Sequence, residues 1–370
     1  MRVTNSMLVS NLMRNLNLNM RNSDRLQNMM ASGRKFAHIS DDPTALIYSQ
    51  AARNKLARLS HYQRTVSTAQ DWLVQAEAGV MELQGVVVSA YENAVDAAHD
   101  GKTASDKEAI GKVISQLRSH FVDTLNATFG DKYVYGGYNT PGDPQFDLVD
   151  RGSKAFTVED GNLMYNGFNL SQFDGMPAML LDSDLSNASD ADITALAASL
   201  GFDLTAIDPP GPEGIRMLHQ LKSDVLTFDV GPGISIPVTM NGIDLVLFTT
   251  HDEAGNPVVR SVYSVLSDLY TATTTDASAS EITKIIKPLQ DSQTHLLAST
   301  AEAGGRVRRL ELLEARYEQD QINYRKMLSD AEDVDMAEVI MDLRMAEAVM
   351  QAAMSAGARI IQPTLMDFLR

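Results

Sequence analysis

The sequence predicts a mainly α-helical protein with an inserted β-rich domain. Its long helices run out and back as a bundle, and the N- and C-terminal helices pair as a coiled coil. Three observations predict this. Apolar residues recur every three and four positions through 43–98 and again from about 280 to 328, the spacing of long packed helices. Between about 141 and 258 the period shortens to alternation, broken by Asp-Gly, Gly-Pro-Gly and Asn-Gly. The last helical stretch, from Met336, carries apolar residues on nearly every side, so one neighbouring helix is too little to cover it. Residues 1–42 and 330–370 therefore read as terminal coiled-coil helices. Residues 43–140 and 260–329 read as a helical bundle domain, and 141–259 as an inserted β-rich outer domain.

Composition excludes several function classes. The chain has 370 residues, a net charge of −17 and no cysteine. It is long enough for a sizeable core and more than one structural unit. The acidic balance argues against nucleic acid as a partner, because phosphate binding needs a basic face. The densest basic cluster, Arg306, Arg308 and Arg309, is followed by Glu311, Glu314 and Glu318, the mark of a salt-bridged helix face. Without cysteine there is no disulfide, no thiolate nucleophile and no Cys-ligated zinc. The first 20 residues lack the continuous apolar run and the cleavage site of a secretory signal. No membrane span is expected, since Gln351, Ser355 and Arg359 interrupt the uncharged run of the last helix and a span needs ~20 apolar residues.

The elements follow in order. Val9, Leu12, Leu16, Met20, Leu26 and Met30 are helically spaced, but six asparagines lie among them, so the first helix is predicted to be weak without partners. Asp42 and Pro43 suit the N-cap and first position of the next helix. Its seam runs Leu59, Tyr62, Val66, Ala69, Leu73, Ala76, Val80, Leu83, Val87, Ala90, Ala94 and Ala97. The seam extends back through Ala52, Tyr48 and Ala45, with Lys55 as its exception. Such a helix would be on the order of 80 Å long. Asp-Gly-Lys-Thr ends it, and Ser105 with Glu108 reads as a capping box for a third helix. Short alternating runs at 154–170 and 225–248 read as hairpins. A short helix is predicted around 189–202 and another from about 260. Pro288 is expected to start or kink the long helix that follows. Ser329 and Glu332 read as a second capping box, with a new helix running to about Gln362.

Catalytic chemistry finds no support in the motifs. None of the seven histidines is spaced as a helical metal pair, and all read as surface or seam residues. Gly231 to Ile236 reads as a turn between strands. Asp182, Asp184, Asn187, Asp190 and Asp192 lack the glycine and closing glutamate of a calcium loop, so they read as a solvated loop. No enzyme activity, cofactor or metal is expected. Gly79, Gly85 and Gly111 lie inside helices, where they either permit close contact or are merely tolerated.

The last helix directs attention to assembly. One of its seams is Met336, Ile340, Leu343, Met350 and Ile360. A second face carries Met341, Met345, Ala348 and Ala352, and a third Val339, Ala346, Val349 and Ala353. The first helix covers one side, leaving copies of the chain or related chains to cover the others. Leu12, Leu16 and Met20, with Met336, Ile340, Leu343, Met350, Ile360 and Phe368, are the candidate residues for packing between terminal helices and between subunits.

Several stretches carry a family resemblance. "AGGRVRRLE" followed by "AEDVDMAEVIMDLRMAEAVMQAAMSAGARIIQPTLMDFL" resembles the C-terminal signature of the flagellin superfamily, in its branch of type 3 hook-associated proteins. "MRVTNSM", "SGRKFAHISDDPTAL" and "FGDKYVYGGYNTPGDPQF" are similar to the same family. The likeness covers 1–146 and 260–370 and is weaker between. It implies a non-enzymatic axial protein at the hook–filament junction, exported through the flagellar type III channel without a cleavable signal. It also implies self-association in a junction layer, contacts with the first hook-associated protein and with flagellin, and an export chaperone on the C-terminal region. The terminal helices would form an inner tube. The sequence departs from the family in lacking a proline before Ser40-Asp41-Asp42, and 181–222 reads as an insertion. Flagellin itself is the nearest alternative, but "DDPTA" and "QPTLMDFLR" differ from the motifs expected of it. A cytosolic coiled-coil scaffold or export adaptor is the alternative from another class.

Overall fold

A computed structural model describes residues 5–36, 38, 41–99, 101–130, 132–137, 154–183, 185 and 188–361. Helices α1 (Asn5–Ser32), α2 (Pro43–Ala97) and α3 (Ala104–Leu125) come first. Strands β1 (Thr128–Phe129) and β2 (Lys132–Tyr133) pair, then β3 (Phe156–Glu159), β4 (Asn162–Tyr165) and β5 (Phe168–Asn169) form an antiparallel meander. Helices α4 (Ala178–Asp182), α5 (Asp190–Ser199) and α6 (Pro212–Ser223) precede the hairpin of β6 (Thr227–Gly231) and β7 (Ile234–Pro237). After α7 (Gly242–Val246) come a second hairpin, β8 (Leu247–His251) and β9 (Pro257–Ser261), and helix α8 (Val262–Thr274). Two helices close the chain, α9 (Ala279–Glu332) and α10 (Met336–Ile361). The fold is thus mainly helical with small antiparallel sheets inserted, as the change of period predicts.

The elements form two compact units, Met1–His61 with Arg316–Arg370, and Tyr62–Ala315. In the second unit the α2 seam from Val66 to Ala97 is fully buried. It faces α9, whose Ile282, Leu289, Leu296, Ala303 and Leu310 are also fully buried and recur every seven residues. The two helices run antiparallel. Gln70 Nε2 donates to Glu314 Oε2 at 3.0 Å, and Gln290 Nε2 donates to the Tyr91 hydroxyl at 3.3 Å. Each Leu or Val so buried contributes roughly 1.5–3 kcal/mol.

The helical glycines divide as the two readings allowed. A Cβ on Gly79 would lie 2.2 Å from the Tyr135 hydroxyl, and one on Gly111 would lie 3.0 Å from Thr273 Oγ1. Gly85 has nothing within 4 Å. The notch at Gly79 admits the buried Tyr135 phenol, which donates to the Ala76 carbonyl at 2.6 Å. Gly79→Ala should therefore destabilise the second unit by about 1–3 kcal/mol through overpacking. Gly85→Ala should stabilise it by up to about 1 kcal/mol. Chemical denaturation of the two variants checks the opposite signs.

The hairpins rest on turn chemistry. Asp160-Gly161 and Asn166-Gly167 all have positive φ, the geometry of the tight turns that match strand twist. The inserted elements are tied to α9 by several of its side chains, Lys284 to Glu253 among them at 2.6 Å. Asp291 accepts from the Thr250 hydroxyl at 2.7 Å, His295 Nε2 bonds the Asp244 carbonyl at 2.5 Å, and Arg306 donates to the Thr239 carbonyl at 3.3 Å. Burial pushes the His295 pKa down.

Local expectations needed correction where tertiary contacts compete. Helix α3 is capped by Thr103 with Asp106, not by Ser105 with Glu108. Ser329 and Glu332 form no cap, because α9 continues through both, and Ser278 with Glu281 forms the box at its start. Pro288 lies inside that helix without ending it. Asn241-Gly242 caps α7, with Asn241 accepting from the Ile243 amide, so it is not a hairpin turn. Helix α6 had no counterpart in the reading of 181–222. His219 is buried against the Leu180 carbonyl, unlike a surface or seam residue. Among the acidic loop residues, Asp190 pairs with Arg216 and Asp192 accepts from Ser189, while Asp184 and Asn187 lie outside the described residues. Among the described residues no group of His, Cys, Asp and Glu is arranged to hold a metal ion. No described helix is long and apolar enough to cross a membrane.

Candidate assembly site

The first unit is built from α1, the start of α2, the end of α9 and α10. Helices α1 and α10 pack antiparallel. Gly357 near the end of α10 lies against Leu12, where an added Cβ would meet Leu12 Cδ2 at 2.7 Å. At the other end the Val334 amide donates to the Gly33 carbonyl at 3.1 Å.

The inward face of α10 is Val339, Leu343, Ala346, Met350, Ala353 and Gly357, a seam alternating by four and three. Val339, Leu343 and Gly357 are its buried members. On α1 the inward positions are Val9, Leu12, Leu16, Asn19, Ser23 and Leu26. Asn19 and Ser23 put amide and hydroxyl where a coiled coil usually has aliphatic side chains, so this seam adds little apolar burial.

The remaining faces keep large apolar side chains exposed, and no described residue covers them. Met336, Ile340, Met341, Met345, Val349 and Met354 are exposed on α10, with Met341 and Met345 each 64% exposed. Met7, Met13, Leu18, Met20 and Met30 are exposed on α1. Single exposed apolar residues are ordinary, but contiguous ones on two paired helices mark an interaction surface. Flexible Met side chains suit close, adaptable packing.

A polar node fixes the base of this pair. Glu332 at the end of α9 is buried and accepts two hydrogen bonds from Arg53 on α2, at 2.8 and 2.5 Å. Arg34 stands 3.7 Å away, and the Lys35 amide donates to the Glu332 carbonyl at 2.7 Å. Lys55, the exception in the α2 seam, lies over the Tyr324 ring with its ammonium 5.2 Å from the centroid. Tyr48, read as part of that seam, is 66% exposed. The Arg53 hydrogen bond holds the Glu332 carboxyl below the usual glutamate range. A depressed folded pKa contributes stability that is present above the ordinary value of about 4.5 and lost as pH falls through the folded value. Arg53→Ala should cost about 1–2 kcal/mol at neutral pH, given the partial exposure of the guanidinium. Glu332→Gln should flatten the acid-side loss of stability. Melts of the first unit's helices between pH 7 and pH 3 check both.

Of the residues singled out from sequence, Leu12, Leu16, Leu343 and Met350 meet in the α1–α10 seam, whereas Met20, Met336 and Ile340 face outward. Ile360 lies within α10, and Phe368 lies outside the described residues. Val339 belongs to the inner seam rather than to an outer face. Sequence reading passed over Ser23 and Gly357, although both fall on the seven-residue repeat of their helices.

Residues 3–140 match the family described as the bacterial flagellin N-terminal helical region. Flagellar hook-associated protein 3 of Salmonella typhimurium is 20% identical over 354 residues, covering 95% of this chain and 95% of its own length. The resemblance is to flagellar hook-associated protein 3. A flagellin of Clostridium tyrobutyricum is 23% identical, but over 126 residues only, 34% of this chain and 33% of its own. The hook-associated likeness thus runs over nearly the whole chain, and that flagellin match over about a third of it. A solved chain from Vibrio parahaemolyticus, described as a flagellar hook-associated protein, has a TM-score of 0.55 at 14% identity, covering 79% of this chain and all of that one. At that identity the likeness is one of fold.

Proposed function

We propose that this chain is a structural axial protein of the bacterial flagellum that joins the hook, through the first hook-associated protein, to the flagellin filament. The observation that carries the reading is a pair of terminal helices that expose large apolar side chains no described residue covers, in a chain resembling hook-associated protein 3 over 95% of its length. In this reading Leu12, Leu16, Leu343 and Met350 hold the two terminal helices together. Met20, Met336 and Ile340, with Met341 and Met345, meet neighbouring molecules, and Ile360 and Phe368 extend the same packing. Residues 1–42 and 330–370 are the terminal assembly helices, 43–140 and 260–329 the bundle, and 141–259 the outer domain. The chain acts outside the cell after export, has a chaperone on its C-terminal region before export, and catalyses nothing.

Deleting the gene should give cells with hooks, no filaments and intact flagellin in the medium, with filaments restored by the wild-type gene. Full-length filaments in the deletion strain would overturn the proposal. Loss of filaments without free flagellin would mean that the chain is the filament subunit.

A further inference from the structure

The second unit holds a cleft of about 440 Å³ between α3, α8 and strand β3. Among the described residues strand β3 is at the edge of its sheet, paired with β4 alone. In such a pair alternate residues turn their backbone groups outward. Phe156 does so, and the Asn126 side-chain amide satisfies both groups, accepting from its N–H at 2.9 Å and donating to its carbonyl at 2.8 Å. Asn126 therefore occupies one strand position as a stand-in peptide group. Two residues along, Val158 turns its N–H and C=O to the same edge, and no described residue bonds them.

The charge of the cleft lining runs against that of the whole molecule. Arg118 and Lys154 line the cleft, and among the described residues neither is ion-paired, in a chain of net charge −17. Asp123 is the one acid among the described lining residues. Arg118 is held ready by its surroundings. Its guanidinium lies 5.5 Å from the Tyr263 ring centroid and 4.9 Å from that of Tyr270, and it donates to Ser267 Oγ at 3.2 Å. Stacking between aromatic rings fixes the plane of the fork but leaves donors for a carboxylate. Ser119 and Thr157 add hydroxyls to the lining.

We infer that this cleft docks a short extended peptide segment of another polypeptide, which adds to the edge of β3 that no described residue pairs at Val158 and places an Asp or Glu carboxylate between Arg118 and Lys154. Backbone pairing gives the affinity and the carboxylate gives the selection, as in other cases of strand addition. That edge favours a peptide over an anionic sugar, because a sugar has no N–H and C=O at strand spacing. The residues lining the cleft all belong to the second unit, so the inference is independent of how the terminal helices assemble.

The test uses the full chain and a labelled peptide, acetyl-Thr-Val-Asp-Val-Thr-amide, with an Asn-for-Asp control. Fluorescence anisotropy should show binding of the Asp peptide, at least tenfold weaker binding of the control, and weakening with added salt. Arg118→Gln should reduce affinity at least tenfold. Lys154→Gln, at an exposed position with no described partner, should reduce it several-fold even if the first variant proves unstable. Hydrogen exchange at Val158 should slow on binding. The inference is overturned if no binding is seen to millimolar peptide, if the control binds equally, or if both variants bind as wild type does. It is also overturned if hexagalacturonate binds as tightly and leaves Val158 exchange unchanged, since the cleft would then be a general anion site.

Discussion

Met345→Asp, alone or with Met341→Asp, should leave the lone chain as stable as wild type and abolish its assembly. Both side chains are 64% exposed and touch no core, so the change in a monomer should stay within about 0.5 kcal/mol. In an assembly that closes over this face the same carboxylate has to leave water without a partner. The expected penalty is several kcal/mol per site, and it is paid again in every subunit of a layer. Thermal melts should superimpose on wild type, sedimentation should show monomer only, and the gene should fail to restore filaments in a deletion strain. Met345→Leu should assemble normally, because it keeps the apolar surface.

Leu343→Asp should act one step earlier, within the chain. Leu343 is only 8% exposed and sits in the seam with α1. The substitution removes roughly 1.5–3 kcal/mol of burial and puts a charge into an apolar seam. The α1 seam offers Asn19 and Ser23 in place of two aliphatic side chains, so it has little to lose before it separates. Helical signal from the terminal pair should fall in the isolated variant, and protease should cut within residues 5–32. The second unit should melt as in wild type, because its fully buried core lies elsewhere. Unchanged protease resistance in α1 would show that Leu343 does not hold it.

Much of this was legible in the residues. The α2 seam from Val66 to Ala97 reads directly from its spacing, since its members recur by threes and fours without a break and are all fully buried. The turns at Asp160-Gly161 and Asn166-Gly167 read from residue types that tolerate positive φ. Other features depended on distant partners. Glu332 looks like a capping residue locally but is taken by Arg53, 279 positions away. Thr103 with Asp106 and Ser105 with Glu108 satisfy the same capping pattern two residues apart, and the sequence does not rank them. The three faces of α10 are comparably apolar, so only α1 decides that Val339, Leu343 and Met350 turn inward and Met336 and Ile340 do not. Ser23 was missed because a hydroxyl in a seam breaks the apolar pattern that reveals the seam.

Amide exchange across residues 5–30 and 336–358, compared in dilute monomer and in assembled protein, tests the central claim most directly. The expected result is weak protection in the monomer, far below that of α2 residues 66–97, rising by orders of magnitude on assembly. Full protection of both helices in a dilute monomer that shows no tendency to associate would contradict it.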